Sequence, residues 1–183
     1  MINGRTSGMF AFGTQNAAAV AGGFPGGDPG ATITEEYNGS AWAAGGAMIT
    51  GRYAGNNASG GTQNTGIIFS GYAGPASVAC TEEYNGTAWA SGGTMITSGY
   101  SRGGVGTQNA ALAIGSYTNT STACVESYNG TAWSTSTATP MVVRNNGGAG
   151  VQNSGISFGG RGNPTVLNNT LEWNGTSWVN EAN

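Results

Sequence analysis

Few residues in this chain could do acid–base or covalent chemistry. There is no His and no Lys, so the commonest general base, metal ligand and Schiff-base nucleophile are all missing. Glu35-Glu36 and Glu82-Glu83 are adjacent pairs, and neighbours along a strand point to opposite faces, so neither pair can act as a joint acid and base. Glu126 and Glu172 recur at these positions. The expected role of these carboxylates is to answer the repeating Arg5, Arg52, Arg102 and Arg144, in their own sheet or a neighbouring one. Asp28 is the only Asp, which makes a carboxylate-rich calcium site unexpected. No catalytic residue, metal or cofactor is therefore assigned, and a non-enzyme is expected.

Binding chemistry is better represented. Phe24, Tyr72, Tyr117 and Arg161 stand at one repeated position, directly after a Gly-rich pair. The segments they open differ most among the copies: Phe24 to Pro29, Tyr72 to Pro75, Tyr117 to Thr120 and Arg161 to Pro164. Variable loops on a constant scaffold are where binding residues concentrate. The candidate binding set is Phe24, Asp28, Tyr72, Tyr117, Asn119, Arg161 and Asn163, with aromatic rings able to stack on sugars or anchor a protein. The same rings could instead merely cover a sheet edge. The pairs Gln15-Asn16, Gln63-Asn64, Gln108-Asn109 and Gln152-Asn153 are expected at turns, where Asn tolerates left-handed backbone; four amides on one face could alternatively read sugar hydroxyls. Cys80 and Cys124 occupy equivalent places in successive copies. Packed sheets lie ~10 Å apart and a disulfide needs Cα atoms within about 7 Å, so both are expected to be small, buried and unpaired.

The elements that must position these residues come in four copies. Tyr37-Asn38-Gly39-Ser40-Ala41-Trp42 returns at Tyr84 to Trp89, at Tyr128 to Trp133 and, with Trp first, at Trp173 to Trp178. The closing Trp residues are 47, 44 and 45 apart, and the Gln-Asn pairs keep the same beat, as a solenoid, propeller or array would. Thr34–Thr50 and Thr81–Thr97 agree at 14 of 17 positions, so the copies arose by duplication. Helix formers are scarce and Gly numbers 35, so each copy reads as four short strands. The second is the clearest: Ile67 and Phe69, Leu112 and Ile114, Ile156 and Phe158 alternate with mostly small residues. Such a sheet has one bulky and one shallow face, and the bulky face of one can fill the shallow face of the next. Asn-Gly predicts a two-residue hairpin turn pairing Tyr37 with Ser40 and placing Trp42 diagonally on the same face. The Gly- and Ala-rich first strand suits the crowded axis of a ring.

Charge excludes some partners. Only 7% of residues are charged, and the net charge of −3 argues against nucleic acid, whose phosphates need clustered cations. No apolar run approaches the roughly 20 residues of a transmembrane helix, so membrane insertion is not expected. Met1-Ile2-Asn3-Gly4-Arg5 matches Met48-Ile49-Thr50-Gly51-Arg52, so no signal peptide is expected and Met1 could be internal to a longer array.

Four radial four-stranded sheets describe a β-propeller. The closing glycines Gly22-Gly23 and Gly159-Gly160, the following Tyr and Trp, and one Arg ahead of each first strand resemble the kelch repeat over the whole chain. The Tyr-to-Trp interval is shorter than usual for kelch, and kelch propellers usually carry six or seven copies. Copper-radical oxidases of that family need His ligands, so their activity does not carry over. The Asn-Gly-Thr-rich, Lys-free sequence also resembles repeat proteins of marine tailed phages. The expectation is thus an all-β, single-domain kelch-like propeller over residues 1–183, with blades near 1–47, 48–94, 95–140 and 141–183. It either closes alone or combines with further copies into a larger ring. The resemblance implies a structural or host-attachment module of a virion, assembled in the host cytoplasm and extracellular when working. Its partners would be a host surface glycan or other virion proteins. The alternative is a free carbohydrate-binding lectin.

Overall fold

The alternation of bulky and small residues becomes sixteen strands in four sheets among the described residues. The computed structural model describes residues 1–26, 30–54 and 58–181. Blade 1 holds β1 (Phe10–Thr14), β2 (Ala17–Ala21), β3 (Thr34–Tyr37) and β4 (Trp42–Ala44). Blade 2 holds β5 (Ser59–Thr62), β6 (Thr65–Phe69), β7 (Thr81–Tyr84) and β8 (Trp89–Ser91). Blade 3 holds β9 (Gly103–Thr107), β10 (Ala110–Tyr117), β11 (Ser121–Tyr128) and β12 (Trp133–Thr135). Blade 4 holds β13 (Gly147–Val151), β14 (Ser154–Phe158), β15 (Thr170–Trp173) and β16 (Trp178–Glu181). Each sheet is an antiparallel meander in chain order, and the four are arranged as a β-propeller with β1, β5, β9 and β13 innermost. These inner strands approach closely. A Cβ on Gly60 would lie 2.6 Å from the Gly106 carbonyl oxygen, and one on Gly148 would lie 2.7 Å from that of Gly104. No side chain fits there, which is why the first strand is rich in Gly.

The blades interlock by exchanging size between their two inner strands. Phe12 lies opposite Ala19, Gly60 opposite Ile67, and Val105 opposite Leu112. Each blade therefore carries a large residue at this height: from the first strand in blade 1, from the second in blade 2 and in blade 4, where Ala149 faces Ile156, and from both in blade 3. Phe12 enters the notch left by Gly66, where a Cβ would come within 2.1 Å of its ring. Phe69 meets the Trp133 ring at 4.9 Å, and Val105, Leu112 and Ile114 cluster with Trp173. Each fully buried side chain of this kind contributes roughly 1.5–3 kcal/mol.

Two expected turns are built differently. Tyr37 lies directly opposite Trp42, not diagonal to it, and the loop between them has four residues. Asn38 does not adopt positive φ; its Oδ1 accepts the backbone N–H groups of Ser40 and Ala41 at 3.0 and 2.9 Å, and only Gly39 is left-handed, at φ 92°. Side-chain capping by Asn replaces the type I′ geometry, and the same bonds recur at Asn85, Asn129 and Asn174. The aromatic pair still shares one face, with ring centroids 5.1 Å apart. The Gln-Asn pairs do form two-residue turns, as in Thr62 opposite Thr65. Their Asn residues are not left-handed; the positive φ falls on Gly13, Gly61, Gly106 and Gly150.

Candidate functional site

Most of the polar residues that could act chemically are spent on holding the blades. Arg5, Arg52 and Arg102 pair with Glu35, Glu82 and Glu126 at 3.3, 3.2 and 3.4 Å, and all six side chains are buried. Each carboxylate also accepts the backbone N–H groups of the segment entering its blade, Glu82 from Ile49 at 2.7 Å and Thr50 at 3.1 Å. Burial alone would raise the Glu35 carboxyl. Hydrogen bonds from the Asn3 side chain and the Asn3 and Ile2 backbone, helped by Arg5, outweigh burial and hold it below the ordinary carboxylate range. The expectation that Glu answers Arg holds for these three. It fails for Arg144, because Leu171 stands in place of the acid and Arg144 lies half-buried over the Tyr117 ring at 4.1 Å. The second carboxylates work between blades: Tyr84 donates its hydroxyl to Glu36 at 2.5 Å, and Tyr128 donates to Glu83 at 2.6 Å.

The Gln amides are likewise occupied. Gln63 Nε2 donates to the Ala18 and Tyr37 carbonyls of the preceding blade at 3.0 and 2.9 Å. Gln108 bonds Gly66 and Tyr84, and Gln152 bonds Ala111 and Tyr128, in the same way. These amides are clamps between blades, which removes the basis for a sugar-reading ring at Gln63, Gln108 and Gln152. Cys80 and Cys124 are free, as expected, but half-buried beside charged groups: Cys80 accepts from Arg52, and Cys124 lies 3.7 Å from Glu126.

The opposite end of the strands carries a continuous row of rings. The segment entering each innermost strand bridges to the segment leaving the second strand, so Tyr53 pairs with Tyr72, Tyr100 with Tyr117 and Arg144 with Arg161. Backbone bonds of 2.8 to 3.3 Å hold these bridges. The side chains then stack in sequence across the blades: Phe24 to Tyr53 at 5.0 Å, Tyr53 to Tyr72 at 5.5 Å, Tyr72 to Tyr100 at 5.4 Å and Tyr100 to Tyr117 at 5.2 Å. The Arg144 guanidinium closes the row. Edge-to-face packing of this kind is worth about 0.5–1.5 kcal/mol per pair, so the row is pre-ordered. Every ring in it remains partly exposed. Beside it lies a cleft of about 530 Å³, lined by Tyr72, Tyr100, Ser77, Ser98, Thr118 and Asn119 among others. A second hollow of about 340 Å³ opens among Tyr53, Tyr72 and Tyr100. Burial, then the neighbouring Tyr117 and Tyr72 hydroxyls, push the Tyr100 hydroxyl above its ordinary range, so it remains a neutral donor.

Of the residues expected from sequence, Phe24, Tyr72 and Tyr117 belong to this row, and Asn119 lines the cleft at φ 83°. Arg161 and Asn163 are exposed on blade 4, outside the stacked row, and Asp28 lies outside the described residues. Tyr53, Tyr100 and Arg144, the alternate members, were not in the expected set. Their signal was a constant offset: Tyr53 and Tyr100 each stand five residues after the Met of Met-Ile-Thr. No protein-family model matches the chain, and no curated protein matches it in sequence.

Proposed function

We propose that this protein is a non-enzymatic, kelch-like attachment module of a phage virion, and that its aromatic row binds a surface glycan of the host. The row of rings running from Phe24 to Tyr117 beside an uncharged cleft is the observation that carries this reading. Ring faces and edges suit the apolar faces of sugars. Tyr, Ser, Thr and Asn side chains supply neutral donors and acceptors for their hydroxyls. Among the described residues, a charged ligand would find Arg144 and Arg161 at the far end. The repeat motif supports the kelch-like reading, and the Lys-free, Asn-Gly-Thr-rich composition supports the phage reading.

Binding to immobilised neutral glycans tests the proposal, with Asn119→Gly as the informative variant. Gly keeps the left-handed backbone and removes only the exposed amide, so the melting temperature should hold. Affinity should fall about tenfold, which is about 1.4 kcal/mol. If the wild-type protein retains no glycan, or the variant binds as well as wild type, the row is packing and not a binding site. A free lectin would bind the same glycans but be missing from purified particles.

A further inference from the structure

We propose that two copies of this chain close head to tail into a single ring of eight blades. Three interfaces are sealed within the chain, joining β1 to β5, β5 to β9 and β9 to β13, and no contact of that extent joins β13 to β1. Two faces are consequently left over. On blade 4, Ile156 and Phe158 are 37% and 45% exposed, whereas their counterparts Ile67 and Phe69 are fully buried. On blade 1, Tyr37 and Trp42 are half-buried, whereas Tyr84 and Tyr128 are fully buried between blades.

These two faces carry the two halves of the bonds that seal the internal interfaces. In blade 2, Tyr84 donates to Glu36 of blade 1, and Trp89 donates its indole N–H to Thr34 at 2.9 Å. In blade 3, Tyr128 donates to Glu83 and Trp133 to Thr81 at 2.8 Å. Where blade 3 has Ser127 in place of that Glu, blade 4 has Trp173 in place of the Tyr, and Trp173 donates instead to its own Gln152 carbonyl. Donor and acceptor therefore change together. Blade 4 ends the series with Glu172 and Thr170, on the same face as Ile156 and Phe158. Blade 1 begins it with Tyr37 and Trp42, and the Tyr37 hydroxyl turns back onto the Gly39 carbonyl of its own loop. Gln15 is exposed, at the position where Gln63, Gln108 and Gln152 clamp the preceding blade. Glu172 thus matches a Tyr-bearing blade, and Tyr37 matches a Glu-bearing one.

The matching faces are different surfaces of one chain, so copies join head to tail, and such contacts form a closed ring when the rotation permits. Two copies give two identical seams and eight blades, within the usual propeller range of 4–8.

Native mass spectrometry and sedimentation of the full chain, with two surface variants, test this. Ala11→Arg loads the exposed blade 1 face and Phe158→Asp loads the blade 4 face; both positions are exposed, so both variants should fold with the wild-type circular dichroism. The wild-type protein should run at twice the 18.2 kDa protomer mass, and each variant alone should lose the dimer. Mixing the two should restore it, because one seam is then wild type on both sides and the other brings Arg and Asp together. A wild-type monomer, a higher oligomer, a variant that still dimerises, or a mixture that stays monomeric each overturns the proposal.

Discussion

Gly66 tests the interlocking of blades most directly. Its φ is not in the left-handed region, so Gly66→Ala asks nothing unusual of the backbone, and on a strand the change alone should gain roughly 0.5–1 kcal/mol. The structure opposes that gain. The new Cβ would fall 2.1, 2.5 and 2.6 Å from three atoms of the Phe12 ring. The ring cannot withdraw, since it is buried against Tyr84 and Trp89 at centroid distances of 6.4 and 6.0 Å. Forcing a methyl into a packed site costs typically 1–3 kcal/mol, so Gly66→Ala should destabilise the protein by about that amount. Phe12→Ala should cost about 3–5 kcal/mol through loss of the ring and the cavity left behind. In the double variant the methyl enters that cavity, and adding Gly66→Ala to Phe12→Ala should cost nothing or gain up to about 1 kcal/mol. Urea unfolding of the four proteins gives a coupling energy, expected at about 1–4 kcal/mol in favour of the double variant. Additive effects would refute the claim that Phe12 occupies the Gly66 notch.

Arg52→Met should cost about 3–5 kcal/mol because it leaves the Glu82 carboxylate buried without its cation, and Arg52→Met/Glu82→Gln should recover part of that loss; equal melting temperatures for the two would contradict the pairing. Tyr84 supplies a pH test. Burial, then its bond to Glu36, raises its pKa from 10 to about 12, so the folded state favours the protonated phenol. Its contribution is fully present below pH 10 and is lost as pH rises towards about 12, up to roughly 3 kcal/mol. Tyr84→Phe should flatten this alkaline loss of stability, and a variant with the wild-type profile would reject the assignment.

Periodicity and alternation were sufficient to read the propeller, because both depend only on residue type and spacing. The hairpin register was not legible: Asn-Gly favours a two-residue turn in isolation, but Asn38 can cap a four-residue loop and set Tyr37 opposite Trp42. The clamp by Gln63 was hidden because its acceptors, the Ala18 and Tyr37 carbonyls, belong to another blade and have no side-chain signature. Arg144 misled for a related reason. The Arg shared by the copies slips in register, standing one residue before Tyr53 but two after Tyr100, and Arg144 itself falls on the Tyr position. Asn146 then takes the place of Arg102 and donates to Ser157 at 2.7 Å. Half of the aromatic row was visible as one repeated position. The other half sits on the linkers, and only the backbone bridges bring the two sets together.

The exchange of size between inner strands also bears on how such a chain can grow. Blades 1 and 2 are nearly identical from Thr34 to Thr50 and from Thr81 to Thr97, which suggests units that could be copied freely. Their inner strands do not allow it. A second blade 1 inserted after the first would set Phe12 against Ala18 where Gly66 now stands, and the Ala methyl would meet the ring. Duplication must therefore be followed by substitution at the new joint before the array can pack. The order of the blades is inherited as a set of matched neighbours, while the outer strands remain free to stay alike.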